Sequence, residues 1–171
     1  EEGRSVNLSE EWGETILSGV RLSGKVDRID RMADGTLAIV DYKTGNAPSL
    51  KRIAAGFSPQ LGLLGLIARE GGFKHGTGVA TRFEYWTLNK NKDDFGAVSS
   101  ALSKKDNGTD AAAKLVDDAQ KVVSGAIDLW ILGNEPFVAK LRPEYTIGAD
   151  YDQLMRLKEW YGHEGQGDHA G

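Results

Sequence analysis

The sequence predicts an α/β domain in which helices flank a central mixed β-sheet. Residues 21–31 and the β-branched, apolar run over residues 36–43 lie on either side of Asp34-Gly35, a pattern typical of a β-hairpin. A third run, residues 79–88, alternates in the way of a strand with one aromatic-rich face. Apolar residues at helical spacing over residues 59–70 and 109–132 predict two helices that would cover this sheet.

The remaining elements follow from local signals along the chain. Ser58-Pro59 predicts the start of the first helix, because serine caps helices and proline suits their first turn. The polar, lysine-bearing residues 89–107 predict a mobile loop, and Thr109 or Asp110 would cap the second helix. Asp150 would cap a last helix with one apolar face, which we expect to dock onto the domain.

The length and composition indicate a single domain without a membrane span. At 171 residues and 40% hydrophobic content, the chain can bury roughly two-thirds of its unfolded surface. We expect one domain over residues 14–161, a poorly ordered or truncated segment over 1–13 and a disordered tail over 162–171. No 18-residue apolar run and no basic-then-apolar leader occurs, so we expect a cytoplasmic protein.

The hairpin carries the residues that suggest chemistry. Its second strand delivers Asp41 and Lys43 two residues apart, so the strand period of two places them on one face. Its first strand brings Asp27 almost opposite Asp41. A carboxylate beside an ammonium can bind a metal and steer a nucleophile, which makes this hairpin the candidate active site.

Two registers of the hairpin remain open at this point. A plain two-residue turn would set Asp27 opposite Tyr42 and point it away from Asp41. A loop with an odd number of residues, or a bulge, would place both carboxylates on one face. Two carboxylates that lie so near each other repel, so a buried pair needs a cation. A site made only of oxygen ligands suits Mg²⁺ or Mn²⁺ rather than zinc.

These residues form motifs that resemble a known family. The motifs are Gly24-x-x-Asp-Arg-Ile-Asp30, then Asp41-Tyr-Lys-Thr-Gly45, then Gln60-Leu61 at the start of an apolar helix. Together they resemble the RecB-type nuclease domain of the PD-(D/E)xK superfamily. Residues 151–160 resemble the end of the AddB subunit of bacterial recombination helicase–nucleases, so the resemblance runs from about residue 20 to 161.

The resemblance implies a restriction-endonuclease-like fold and a role for each motif residue. Asp27 and Asp41 would be the metal carboxylates, Lys43 the catalytic lysine and Gln60 a polar residue beside the site. The implied activity is Mg²⁺-dependent (or Mn²⁺-dependent) hydrolysis of DNA, as the exonuclease domain of a helicase–nuclease that processes double-strand breaks for recombination. The implied partners are DNA ends, single-stranded DNA and an AddA-like subunit.

Three features depart from the family pattern. Leu64 stands where the family usually has an aromatic residue four positions after the glutamine. The family's upstream histidine or glutamate has no clear counterpart; Glu10, Glu11 and Glu14 are candidates, with exposed charge as the simpler interpretation. Many AddB relatives hold an iron–sulfur cluster through four cysteines, whereas this chain has no cysteine, so we expect no such cluster.

The charge of the chain leaves two other interpretations open. A net charge of −4 and a pI near 5.4 disfavour nucleic acid as a partner. Basic residues nevertheless surround both motifs: Arg21, Lys25, Arg28, Arg31, Lys51 and Arg52. The chain could be a catalytically inactive nuclease fold that guides DNA or docks a subunit. Alternatively, Asp27-Arg28 and Asp41-Lys43 could be ordinary surface ion pairs.

Overall fold

A computed structural model describes residues 3–90, 95–103 and 108–136, and these residues form a five-stranded mixed sheet with helices. The strands lie in chain order across the sheet; neighbouring strands are antiparallel except for the parallel pair β3–β4. The strands are β1 (Arg4–Leu17), β2 (Val20–Met32), β3 (Leu37–Lys43), β4 (Ala80–Lys90) and β5 (Phe95–Ser100), and the helices are α1 (Leu50–Ala54), α2 (Gln60–Arg69) and α3 (Thr109–Ala126). This is the predicted α/β, restriction-endonuclease-like architecture.

The β2–β3 hairpin closes through a loop of three residues, 33–35. The backbone N–H of Met32 donates to the carbonyl of Thr36 at 2.9 Å, and Gly35 has a φ of 81° that suits glycine. The resulting register sets Arg28 opposite Val40. Of the two registers that the sequence leaves open, the hairpin adopts the one with an odd-numbered loop.

The prediction that residues 1–13 are poorly ordered is wrong from residue 4 onwards, because β1 begins at Arg4. This strand pairs antiparallel with β2 along its length and buries Leu8 and Leu17. It is an edge strand with one face in solvent, so glutamates can occupy that face without disrupting the strand. They also hide the alternation of apolar residues from which a strand is predicted. The predicted lower domain limit at residue 14 therefore lies inside the sheet.

Helix α2 packs on the sheet as predicted, but its close approach depends on two glycines. A Cβ on Gly62 would lie 2.6 Å from Cβ of Ala119 on α3, and one on Gly65 would lie 2.8 Å from the ring of Phe83 on β4. These contacts hold α2 between α3 and the sheet. The helix begins at Gln60, with Pro59 at the N-cap, one residue later than predicted.

The predicted loop over residues 89–107 is wrong in part, because β5 lies within it. The helix predicted over 109–132 divides into α3 and a π-helical turn, Ile127–Ile131. No helix is predicted from the sequence at the position of the short α1. The expected helix from Asp150 and the expected tail over 162–171 lie outside the described residues. None of the helices in the described part combines the length and the apolar character that crossing a bilayer requires.

Candidate active site

Three polar side chains meet where β3 ends and α2 begins. The Nε2 of Gln60 donates to Oδ1 of Asp41 at 2.7 Å, and its Oε1 accepts from Nζ of Lys43 at 3.2 Å. The same ammonium lies 2.7 Å from Oδ2 of Asp41. Asp41 and Lys43 share one face of β3 because they are two residues apart, and Gln60 reaches them from the first turn of α2. The three side chains form a closed triangle of contacts.

Asp27 joins this group through the backbone of β3. Its Oδ2 accepts from the backbone N–H of Tyr42 at 2.8 Å, and Tyr42 stands between Asp41 and Lys43. The register, continued by one residue from the pair of Arg28 and Val40, sets Asp27 opposite Asp41. All four residues that the sequence names for the site therefore lie around one strand end.

A local irregularity in the β1–β2 pair adjoins Asp27. Val26 and Ile29 are three residues apart, which would place them on opposite faces of a regular strand, yet both belong to the hydrophobic core that includes α2. Glu10, at the position across from Asp27 on β1, has a φ of 53°, which is uncommon for a residue other than glycine. The register of the two strands also shifts between Val6 and Leu8, opposite Asp30 and Ile29, and β-bulges re-aim side chains and are frequent next to active sites.

The site carries an excess of negative charge in buried surroundings. Burial raises the pKa of Asp41 above its ordinary 3.8; Lys43 opposes this rise, the charge of Asp27 adds to it, and Gln60 opposes it. Burial, with the charge of Asp41 as a second cause, raises the pKa of Tyr85 to about 12. Since the pKa of Asp41 stays raised, the Lys43 ammonium compensates its charge only in part.

These properties fit a hard divalent cation. Oδ2 of Asp41 is buried and lacks an aligned hydrogen bond, although the Lys43 ammonium lies close to it. Carboxylate oxygens of Asp27 and Asp41 are donors of the type that Mg²⁺ or Mn²⁺ prefers, and Mg²⁺ usually keeps several waters. No cluster of three or more His, Cys, Asp or Glu suited to a metal occurs among the described residues. The chain thus offers two carboxylates, and waters or substrate oxygens would complete the coordination.

The alternative upstream ligands all have basic partners. Glu10 pairs with Lys25 at 2.8 Å, and Oε2 of Glu11 lies 2.9 Å from Nδ1 of His75. The third candidate, Glu14, lies 3.5 Å from Arg21. The hydrogen bonds of their partners lower the pKa values of Glu10 and Glu11. Glu10 and Glu14 agree with the simpler interpretation of exposed charge, whereas the Glu11 side chain is only 20% exposed.

The basic residues near the first motif are largely matched by carboxylates. Arg28 pairs with Asp30, not with Asp27, at 2.7 Å. The interpretation of Asp27-Arg28 and Asp41-Lys43 as ordinary surface pairs is therefore wrong, since Arg28 has another partner and Asp41 is only 3% exposed. Lys51 and Arg52 are exposed on α1, in the connection between Lys43 and Gln60.

The sequence did not single out Tyr42 as part of the site, although its backbone N–H holds Asp27. A backbone donor leaves no signal in the residue type, so only the register reveals it. Of the aromatic residues on β4, Tyr85 is 1% exposed and belongs to the core, whereas Trp86 is half-buried on the opposite face of the sheet.

A mixed sheet that carries an acidic pair and a lysine at the end of one strand defines the restriction-endonuclease-like class of α/β proteins. Comparison with protein families agrees: residues 1–132 match the PD-(D/E)XK nuclease superfamily. The chain therefore belongs to this superfamily. Asp41-Tyr42-Lys43 has the (D/E)XK spacing of the superfamily's name.

Individual relatives match shorter stretches. An ATP-dependent helicase/deoxyribonuclease subunit of Streptococcus mutans is 51% identical over 43 residues, which are 25% of this chain and 4% of that protein. The protein of the same name from Streptococcus agalactiae is 37% identical over 59 residues, 33% of this chain and 6% of the relative. An uncharacterized protein of Rickettsia conorii is 41% identical over 54 residues, 32% of this chain and 6% of the relative. The chain thus spans a small part of the length of these relatives.

Proposed function

We propose that the chain is a divalent-metal-dependent deoxyribonuclease domain, an exonuclease in a helicase–nuclease that processes double-strand breaks. The observation that carries this proposal is the grouping of Asp27, Asp41, Lys43 and Gln60 at one strand end. A catalytically inactive docking module would need no such grouping. The similarity to helicase/deoxyribonuclease subunits supports DNA as the substrate and a helicase–nuclease subunit as the partner.

Each residue has a task in this proposal. Asp27 and Asp41 would hold Mg²⁺ or Mn²⁺, which when bound supplies charge neutralisation and a more acidic water. The amide of Gln60 orients Asp41 through one oxygen and receives Lys43 through its own carbonyl. Lys43 then presents a compact positive charge toward the attacking water or a phosphate oxygen.

A cleavage assay on single-stranded DNA tests the proposal. We expect the chain to degrade end-labelled linear single strands in Mg²⁺ or Mn²⁺ and to leave a circular single strand intact, as an exonuclease does. Asp41→Ala should abolish the degradation. Asp117→Asn is the matched control, because it removes a carboxylate on α3 that pairs with Arg69 of α2, and it should cut like the parent.

The two alternatives give different results in this assay. Cleavage of the circular strand would indicate an endonuclease and overturn the exonuclease part of the proposal. DNA binding without cleavage by the parent in either metal would favour the inactive guiding or docking module. Equal activity of the parent and Asp41→Ala would place the chemistry elsewhere.

A further inference from the structure

A ring of five side chains lies on the sheet face opposite the candidate site. Asp30, fully buried, accepts from Nε of Arg28 at 2.7 Å and from Nε of Arg4 at 2.6 Å. Nη1 and Nη2 of Arg4 donate to both oxygens of Glu84 at 3.0 and 3.1 Å. Glu84 also accepts from Nε1 of Trp86 at 2.9 Å, and the Arg28 guanidinium lies 4.8 Å from the centre of the Trp86 ring. We call these five residues the reverse-face ring.

The reverse-face ring connects β1, β2 and β4 and passes over β3. On β3, Val40 stands between Arg28 and Glu84 in the register, Ala38 stands beside Asp30, and both β3 residues are fully buried. Alanine at position 38 is small, which leaves room for the long side chain of Arg4 to reach from the edge strand to Glu84. The ring thus ties three strands together alongside residues 38 to 42 of β3.

Tyr42 links the reverse-face ring to the candidate site. Its aromatic ring meets Trp86 edge-on, with the ring centres 6.0 Å apart, and the Arg28 guanidinium lies over the same Trp86 ring. Its backbone N–H donates to Oδ2 of Asp27 on the other side of the strand. One residue is therefore held by the ring through its side chain and holds Asp27 through its backbone.

The need for such a link follows from where the β2–β3 ladder ends. The paired register of these strands runs only as far as Arg28 and Val40. Beyond that pair, the N–H of Tyr42 is bound by the side chain of Asp27 instead of by a β2 carbonyl. A carboxylate held by a strand-end peptide is only as well placed as that peptide, so whatever fixes the peptide of Tyr42 also fixes Asp27.

We propose that Trp86 and Arg28, acting through Tyr42, are positioning residues that fix Asp27 relative to Asp41 and Lys43. This inference rests on the proposed function in so far as Asp27 and Asp41 hold a metal. Residues that orient metal ligands from outside commonly act in this way, and their loss costs about 10- to 100-fold in metal affinity or activity.

Two measurements test the proposal in the metal-free and the metal-bound chain. Amide hydrogen exchange of Tyr42, followed by NMR, reports on the bond to Asp27, and electron paramagnetic resonance of free Mn²⁺ reports on affinity. Trp86→Leu should accelerate the Tyr42 exchange and weaken Mn²⁺ binding about 10- to 100-fold. Val116→Ala, a core truncation on α3, is the control for general destabilisation. It should change the Tyr42 exchange rate and the Mn²⁺ affinity only as far as its loss of global stability accounts for.

A conservative variant separates positioning from general destabilisation. Trp86→Phe keeps an aromatic face for Arg28 and an edge contact for Tyr42, so it should restore most of the Mn²⁺ affinity. If Trp86→Leu fails to fold, Arg28→Lys serves instead, since a lysine keeps a charge for Asp30 but lacks the planar fork.

The outcomes are distinguishable from failure of the proposed function. Tyr42 exchange that changes no more in Trp86→Leu than in Val116→Ala overturns the positioning link. Accelerated Tyr42 exchange with unchanged Mn²⁺ affinity would show that the positioning link exists but does not affect metal binding, which overturns that part of the proposal. A parent chain that binds no Mn²⁺ and cuts no DNA overturns the proposed function, and the exchange measurement alone then decides whether the reverse-face ring holds Asp27.

Discussion

The ammonium of Lys43 lies 2.7 Å from Oδ2 of Asp41, and both side chains project from the same face of β3. Without a cation, this ion pair is the nearest compensation that the buried carboxylate has. The pKa of Asp41 nevertheless stays above its ordinary value, chiefly because of burial. The metal-free site is therefore held in an electrostatically unfavourable arrangement, which bears on how the chain responds to cations, substitutions and pH.

A divalent cation should raise the melting temperature of the chain. An ion that binds only the folded carboxylate pair stabilises by mass action, by about 2.7 kcal/mol at one hundred times its dissociation constant. Calorimetry with Mg²⁺ and Mn²⁺ measures this shift. Asp27→Asn should reduce the shift, whereas Asp117→Asn on α3 should retain it. An unchanged melting curve at tens of millimolar Mg²⁺ would contradict a preformed site.

Replacing Asp41 with asparagine should stabilise the metal-free chain above the ordinary carboxyl pKa. Because the folded-state pKa of Asp41 is raised, its favourable contribution is complete at low pH and is lost as the pH rises through the folded pKa. Asparagine keeps an oxygen for Gln60 and carries no charge to desolvate. Urea unfolding of both proteins at neutral pH and near pH 3.8 measures the difference.

At neutral pH the Asp41→Asn variant should be the more stable protein, and the advantage should shrink at the lower pH. A loss of several kcal/mol in the absence of metal would mean that Asp41 is a structural residue. The nuclease hypothesis would then lose its physical support, because a carboxylate kept for function is expected to lower the stability of the metal-free chain.

Local patterns in the sequence predict the hairpin and the shared face of Asp41 and Lys43, whereas the place of Gln60 beside the site follows from the family resemblance. They could not choose the register, because Asp34-Gly35 suits both a two-residue turn and the three-residue loop that forms. Residues 4–13 of β1 were not predicted as a strand, because an edge strand tolerates a polar face. The reverse-face ring could not be predicted from local patterns, because Arg4 and Glu84 are 80 residues apart and meet only across the folded sheet.

Asp30 should be the main source of acid sensitivity on the reverse face. Burial alone would raise its pKa, but the hydrogen bonds from Arg28 and Arg4 outweigh burial and hold the pKa below 3.8. Its contribution to stability is therefore present above pH 3.8 and is lost as the pH falls through the lowered value. Asp30→Asn should destabilise the chain at neutral pH by about 3 kcal/mol, because it leaves buried guanidinium charge uncompensated.

Urea unfolding at a series of pH values measures this effect. The stability difference between the parent and Asp30→Asn should be largest at neutral pH and should narrow as the pH falls below 3.8. Glu70→Gln, at an exposed position after α2, is the control and should follow the parent. A difference that stays constant with pH would show that Asp30 acts through packing and not through its charge.

Arginine at position 43 should separate a positioned lysine from a general positive charge. The Lys43 ammonium fits between Oδ2 of Asp41 and Oε1 of Gln60, at 2.7 and 3.2 Å. Arginine keeps the charge but replaces a compact ammonium with a broad planar fork, which this gap does not suit. A misplacement of about 1 Å from the attacking water or phosphate oxygen can cost on the order of 10²-fold in rate.

Lys43→Arg should therefore lose most single-turnover cleavage while it keeps the fold, the metal-induced shift in melting temperature and DNA binding. Lys43→Ala should lose cleavage as well and serves as the reference for complete removal of the charge. If Lys43 acts only through its electrostatic field, the arginine variant will cut nearly as fast as the parent and only the alanine variant will fail. That result would overturn the positioned-lysine mechanism. The proposed metal site formed by Asp27 and Asp41 would then be supported by the cation measurements alone.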